Sequence, residues 1–499
     1  MKNKLYKKIF YIFLIINMFL SFCVELFRNT ISVDSMEAIT WGELISFGTN
    51  KHPPLSGWLA DGFYHLFFQH DFAIYLLGIL CIAIGLIYTY KLASCFLDSK
   101  KAICATLIIT SSSYYSYLVF YYNFNCNILA MALWPALVYY FYKSTKFDKI
   151  KDWVKYGVVA ALCFLAKYQI IFLFFGIFLY LLLCERKYFK KKGLYIAFIV
   201  GFMLILPHLI WLYQNDFFPF NYYVDKVQLG DNSEKSADFL VGIFYTIRFY
   251  IEQFLALLPC FIIYLLLILK EKKVGLKNIN ENKKDSYFIL SIGLVPLVVT
   301  GLAGLITSNS TTGAWGSSMV GHIGLVLFYF LPIEFKDTTF KYFFKWLYGV
   351  VICSQLALLV FVLVQTKTDM GISRQELVSG FNKIWAENTG NNNIKYVYGS
   401  YDYIFHFMLD KNSKSTVILE TFGHKNPWVD YKDIEKSGVL ILSCHVKEIN
   451  ALTKSICPYL NENYKVEPQK FYLYVKNRFN FKRKYTIYYV IVPPIDTNA

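Results

Sequence analysis

Residues 34–58, DSMEAITWGELISFGTNKHPPLSGW, follow directly on the first apolar run of this 499-residue chain and decide how the rest is read. Two carboxylates (Asp34, Glu37), an aromatic–glycine pair (Trp41, Gly42) and the turn Lys51-His52-Pro53-Pro54 share one connection between membrane segments. A plain connector needs none of them. Ionisable groups held just outside a bilayer, on a loop stiffened by two prolines, point to a catalytic site facing the membrane surface.

The bilayer itself is read from composition. The chain is 56% hydrophobic and 19% aromatic. Eleven apolar runs fall at 9–27, 72–94, 102–120, 127–143, 154–168, 170–184, 194–213, 246–268, 286–306, 317–334 and 343–365. Most have the length that a hydrocarbon core of roughly 30 Å demands. The first begins like a signal peptide, with Lys2, Lys4, Lys7 and Lys8, but its core is long and no small-x-small cleavage site follows. It reads as an uncleaved anchor. The expected organisation is therefore an α-helical polytopic core over 1–365, carrying a catalytic outer loop at 28–71, and a small soluble α/β domain over 366–499. In that tail Gln375–Glu387 has helical periodicity and Glu448–Ser455 reads as a second helical stretch, while Ile394–Val397, Thr416–Leu419, Val439–Leu442, Phe471–Val475 and Tyr485–Val492 read as strands.

A formal charge of +16 would suit a nucleic-acid binder, but its distribution does not. The basic residues sit on alternate connections: the N-terminus, Lys100–Lys101, Lys146–Lys155, Arg186–Lys192, Lys270–Lys284 and Lys336–Lys345. This is the positive-inside pattern. It places the N-terminus in the cytoplasm and the 28–71 loop outside, and an odd number of spans exports the C-terminal domain to the periplasmic face of a bacterial inner membrane. The eleven cysteines show no metal-ligand spacing. Cys444 and Cys457 in the exported tail either pair as a disulfide or stay as buried thiols.

Within the first outer loop, Asp34 or Glu37 has the chemistry of a general base for attack on an anomeric carbon. The bland alternative is a capping box, with Asp34 as N-cap and Glu37 reaching back. Glu43 reads as solvated. His52, before Pro53, is expected to be extended and able to bind a phosphate or metal, or to be a polar turn residue. Lys51 suits an anionic head group or water equally. Further along, Lys167, His208 and the i,i+4 pair Arg248–Glu252 fall toward the outer ends of apolar runs, where ionisable groups mark function unless they snorkel or simply pair. Tyr114, Tyr115, Tyr117, Tyr121 and Tyr122 suit a carbohydrate, an isoprenoid chain or an interfacial belt. With no nucleotide-binding loop, an activated group used outside must arrive on a membrane lipid.

E-A-x-x-W-G (Glu37–Gly42), K-H-P-P-L (Lys51–Leu55) and Trp58 resemble the family 39 glycosyltransferases of the GT-C superfamily, which include protein O-mannosyltransferases and lipid A aminoarabinose transferases. Phe124-Asn125-Cys126-Asn127, Trp134-Pro135, Lys167-Tyr168, Pro207-His208 with Trp211, Asn215-Asp216-Phe217, Ala314-Trp315-Gly316 and Ser318-Met319 follow in order. The resemblance implies an inverting transferase that moves a sugar from a polyprenyl phosphate to a surface glycolipid, such as lipid A, or to a protein. It implies an acidic base in the first outer loop and a donor phosphate held by Lys51, His52, Lys167, His208 and Arg248, with Asn125 and Asn127 beside it. The chain departs from that pattern where relatives carry adjacent Asp-Glu and where a second outer-loop aspartate is replaced by Asn125 or Asn127. The base is thus left between Asp34 and Glu37, and a divalent metal is compatible with the site but not required. The rival classes are a transporter or flippase of lipid-linked sugars, against which the near absence of acidic groups within the spans counts, and a non-catalytic assembly subunit.

Overall fold

The computed structural model describes residues 2–44, 46–229, 239–272, 274–307, 313–413, 415–419, 426–456 and 467–494. All eleven apolar runs are helical. Among the described residues, five helices are long and apolar enough to cross a membrane: Lys4–Glu25, Phe72–Ala93, Lys192–Gln214, Phe239–Glu271 and Asp337–Val364. Two further spans are bent, Ser99–Ser111 with Tyr114–Tyr122 by 67° and Ile279–Gly293 with Val295–Ile306 by 43°, which makes seven by this measure. The four other runs form helices that are shorter or more polar, such as Tyr168–Cys184 and Met319–Phe330.

Both bends have local causes. The hydroxyls of Ser111 and Ser112 donate back to the carbonyls of Ile108 and Ile109, competing with the helical ladder. In the second, Pro296 lacks an N–H and disfavours a continuous helix through the residues before it. Phe198, Ile199 and Met203 stand exposed along Lys192–Gln214, an apolar face suited to lipid rather than water.

The segment 28–71, expected as a loop, is two helices. We label the first span α1 (Lys2–Glu25), the pair after it α2 (Val33–Glu43) and α3 (Leu55–Leu66), and the next span α4 (Phe72–Ala93). α2 and α3 cross at glycines: a Cβ on Gly42 would lie 2.2 Å from Asp61 Cβ and 2.3 Å from the Gly57 carbonyl oxygen. The Trp41-Gly42 pair thus has a packing role, since Gly42 admits α3 while the Trp41 indole N–H donates to Asn50 Oδ1 at 3.0 Å. On α4, Gly78 and Gly85 admit the backbone of Asn123 and Met131, so the helix Cys126–Phe147 lies close against it.

The C-terminal part contains a five-stranded sheet of order β2-β1-β3-β5-β4, with β1 Tyr396–Gly399, β2 Thr416–Ile418, β3 Val439–Ser443, β4 Gln469–Lys476 and β5 Lys482–Val492. β1 is parallel to β2 and β3, and the β4–β5 hairpin joins antiparallel to β3. The helices Arg374–Thr389 and Val446–Ile456 match the expected helical stretches. Cys444 is an exposed free thiol, and Cys457 lies outside the described residues. The domain rests on the 28–71 segment. Arg374 donates to Asp71 at 3.1 Å and to the Tyr64 hydroxyl at 3.2 Å, and Lys411 donates to the Phe68 carbonyl at 3.1 Å. The 28–71 segment and the tail therefore share one end of the helical bundle.

Gly42→Ala should lower the thermal midpoint of the detergent-solubilised protein, because its new methyl meets backbone and Cβ atoms that cannot swing aside; overpacking of this kind typically costs about 1–3 kcal/mol. A midpoint equal to that of the parent chain in a fluorescence melting assay would show that α2 and α3 do not cross this closely.

Candidate active site

Asp34 is positioned by α2 and by the turn before Cys126–Phe147. The N-cap of α2 is Ser32, whose hydroxyl accepts from the Ser35 N–H. The capping-box reading of Asp34 and Glu37 is therefore wrong: Asp34 lies inside the first turn and Glu37 in mid-helix, so neither carboxylate is occupied with the helix end. Asp34 Oδ2 instead accepts from the Asn125 amide at 3.0 Å. The other end of that amide caps the next helix, accepting from the N–H groups of Asn127 and Ile128. Asn125 thus orients Asp34 and is committed at both ends.

Glu37 is buried and meets Lys51, whose ammonium lies 2.6 Å from Glu37 Oε1. The same ammonium lies 4.5 Å from the ring centre of Tyr401, at the start of the helix Tyr401–Met408 in the C-terminal domain, and 5.9 Å from that of Tyr222. Burial opposes the charge on Lys51, but Glu37, with Tyr401 and Tyr222 alongside, outweighs it, and the group titrates above the usual lysine range. Lys51 is a fixed cation. His52 Nε2 lies 3.5 Å from Cys126 Sγ, and its ring meets Trp41 edge-on with centroids 5.7 Å apart.

Lys167 does not snorkel. It is buried, donates to Asn127 Oδ1, and lies 5.4 Å from the Trp315 ring centre. It is also close enough to Asp34 for their charges to interact. His208 holds structure together: Nδ1 meets the Phe47 carbonyl, which only accepts, so Nδ1 carries the proton. Nε2 is then left to accept from the Tyr168 hydroxyl at 2.9 Å. Arg248 is not gathered with these groups. It is half exposed and pairs with Glu252 at 2.8 Å, as the bland reading of the i,i+4 spacing foresaw.

Two cavities share the wall formed by Tyr121 and Tyr122. One, of about 520 Å³, is bordered by Asp34 and by residues of the C-terminal domain; the other, about 480 Å³, is lined by Tyr114, Tyr117, Glu252 and Gly313. A group able to hold a metal among the described residues, Glu43, Asp61 and His65, lies elsewhere, at the far end of α2. Sequence reasoning missed Tyr401, which carries no local signal, and Ser32, Ser35 and Asn123, whose turn-forming residue types were there to be noticed.

Residues 51–211 match the family described as dolichyl-phosphate-mannose-protein mannosyltransferase. The fold is that of ArnT from Cupriavidus metallidurans. The structure described as bound to undecaprenyl phosphate superposes with a TM-score of 0.62 at 10% identity, covering 96% of this chain and 97% of that one. The apo structure gives 0.59 with the same identity and coverage. No curated protein sequence matches the chain. The matched segment starts at Lys51, inside the stretch of motifs read from the sequence, and the likeness of fold, several apolar helices with a small C-terminal sheet domain, extends over 96% of the chain.

The Glu37–Lys51 pair should show up energetically. In a double-mutant cycle with Glu37→Gln and Lys51→Met, unfolding of the solubilised protein should give a coupling of about 1–3 kcal/mol. Strictly additive effects would mean that the two charges do not meet.

Proposed function

We propose that the chain is an inverting glycosyltransferase that moves a sugar from a polyprenyl-phosphate carrier to a surface glycolipid or protein on the periplasmic face of a bacterial inner membrane. The observation that carries this reading is the convergence of a carboxylate with no capping duty, Asp34, with the partly buried Lys51 and the buried Lys167, at the end of an apolar helical bundle. The family match and the fold of an enzyme described as bound to undecaprenyl phosphate support it.

The two carboxylates divide the work. Glu37 is engaged with Lys51, so Asp34, held by Asn125 and bordering a cavity, is assigned as the base. Its oxygen takes the proton of the acceptor O–H as that oxygen bonds to the anomeric carbon from the face opposite the phosphate. The bond between the anomeric carbon and the phosphate oxygen breaks, and its electron pair leaves on the polyprenyl phosphate. Lys51 and Lys167, with His52 nearby, stabilise the charge that develops there. The tyrosine-lined cavity next to Glu252 is a path for the carrier lipid. The domains 1–365 and 366–499 act together in this scheme, since the tail supplies Tyr401 to Lys51.

Asp34→Asn keeps the hydrogen bond to Asn125 in reach and removes the base; transfer should fall about 100- to 10,000-fold with normal protein level. Glu37→Gln should fall less in rate and more in stability. Near-normal transfer by Asp34→Asn, measured on lipid-linked sugar in membranes, would remove Asp34 from the mechanism.

Orientation is tested separately. Single cysteines at Lys51 and at Asp430 should react with a membrane-impermeant thiol reagent from the periplasm, and one at Lys187 only after the cytoplasm is opened. The reverse labelling would place the proposed site on the wrong face.

A further inference from the structure

The cavity of about 520 Å³ has an outer wall built by the C-terminal domain, from Lys367, Asp369, Tyr401, Asp402 and Tyr485, and an inner wall that includes Asp34. Tyr121 and Tyr122 add two more aromatic rings. Three carboxylates against one ammonium border this space. Lys51, close to the ring of Tyr401 on this wall, is engaged with Glu37 at 2.6 Å. The acids crowd one another: burial first, then the charge of Asp369, pushes the Asp402 carboxyl above its usual range. Thr368 donates to Asp402 at 3.3 Å, Tyr121 lies beside Asp369 on the cavity wall, and Asp369 Oδ1 has no hydrogen-bond partner among the described residues.

These features select an occupant. A second phosphate, placed inside this cavity as the acceptor, would meet three carboxylates and the single ammonium of Lys367 in a partly dehydrated space. A carbohydrate meets the opposite: its hydroxyls donate to carboxylates, and its C–H faces lie on tyrosine rings. A peptide docking as an added strand would need a sheet edge, and among the described residues the edge strands, β2 and β4, do not line the cavity. Resting on the glycosyltransferase reading above, we propose that this cavity is the acceptor subsite, and that the nucleophile it presents to Asp34 is an uncharged sugar hydroxyl. The transfer then forms a glycosidic C–O bond as the bond to the carrier phosphate breaks, with the hydroxyl proton passing to Asp34.

The test compares membranes from cells producing the full chain with membranes from cells lacking it. Lipid, glycan and protein fractions are analysed by mass spectrometry, by ³¹P NMR and by mild acid, which cleaves glycosyl phosphates faster than glycosides. The expected product is a glycan or glycolipid one sugar heavier, stable to mild acid, with its phosphate signals unchanged. The double variant Asp369→Asn with Asp402→Asn should make about tenfold less of it, at a protein level verified by size-exclusion chromatography. A sugar added to a phosphate or to a Ser/Thr side chain would overturn the inference and leave the glycosyltransferase reading standing, as would undiminished transfer by the folded double variant. No new glycoconjugate in any fraction would overturn both.

Discussion

The junction between the start of α2 and the turn 122–125 sets the rest of the site. The Phe124 N–H donates to the Ser35 hydroxyl at 3.1 Å, the Ser32 N–H donates to Asn123 Oδ1 at 2.8 Å, and the Ser32 hydroxyl donates to the Tyr122 carbonyl at 2.6 Å. Asn123 adopts a positive φ of 52°, and its carbonyl packs onto Gly78. With the two segments fastened this way, Asn125 arrives beside Asp34, and Asn127 beside Lys167. The polar groups of the junction are buried and satisfy one another, which specifies a single arrangement where an apolar contact would tolerate several.

Electrostatics then separates two chemically similar side chains. Asp34 and Glu37 lie on one helix three residues apart, yet one borders a cavity and the other is occupied by a lysine. That asymmetry leaves one carboxylate facing a cavity and gives the other the task of holding a cation in place. Tyr401 completes the arrangement from a domain more than three hundred residues away in sequence.

Hydropathy and the spacing of short motifs carried most of the fold. The eleven apolar runs are helices, and each of the five strands of the tail overlaps a stretch of alternating or buried character. The bends were less visible, since a serine cluster or a proline within an apolar run leaves its hydropathy almost unchanged. The 28–71 segment read as loop because its glycines and polar residues suppress helical signals; Gly42 and Gly57 are there for a close crossing, a tertiary demand that overrides propensity. Within the site, residues joined by local motif were legible. Partners supplied across the fold, such as Asn125 to Asp34 or Phe47 to His208, were not, because nothing in either stretch encodes the meeting.

The contact of Arg374 with Asp71 and Tyr64 also orders events in time. Asp71 and Lys51 are made early, while Arg374 and Tyr401 belong to the last part of the chain to leave the ribosome. A nascent chain therefore holds Asp34, Glu37 and Lys51 before the wall that completes their pocket exists. The site comes together only after synthesis of the tail is finished, so a truncated chain holds the motifs of the site without its enclosure.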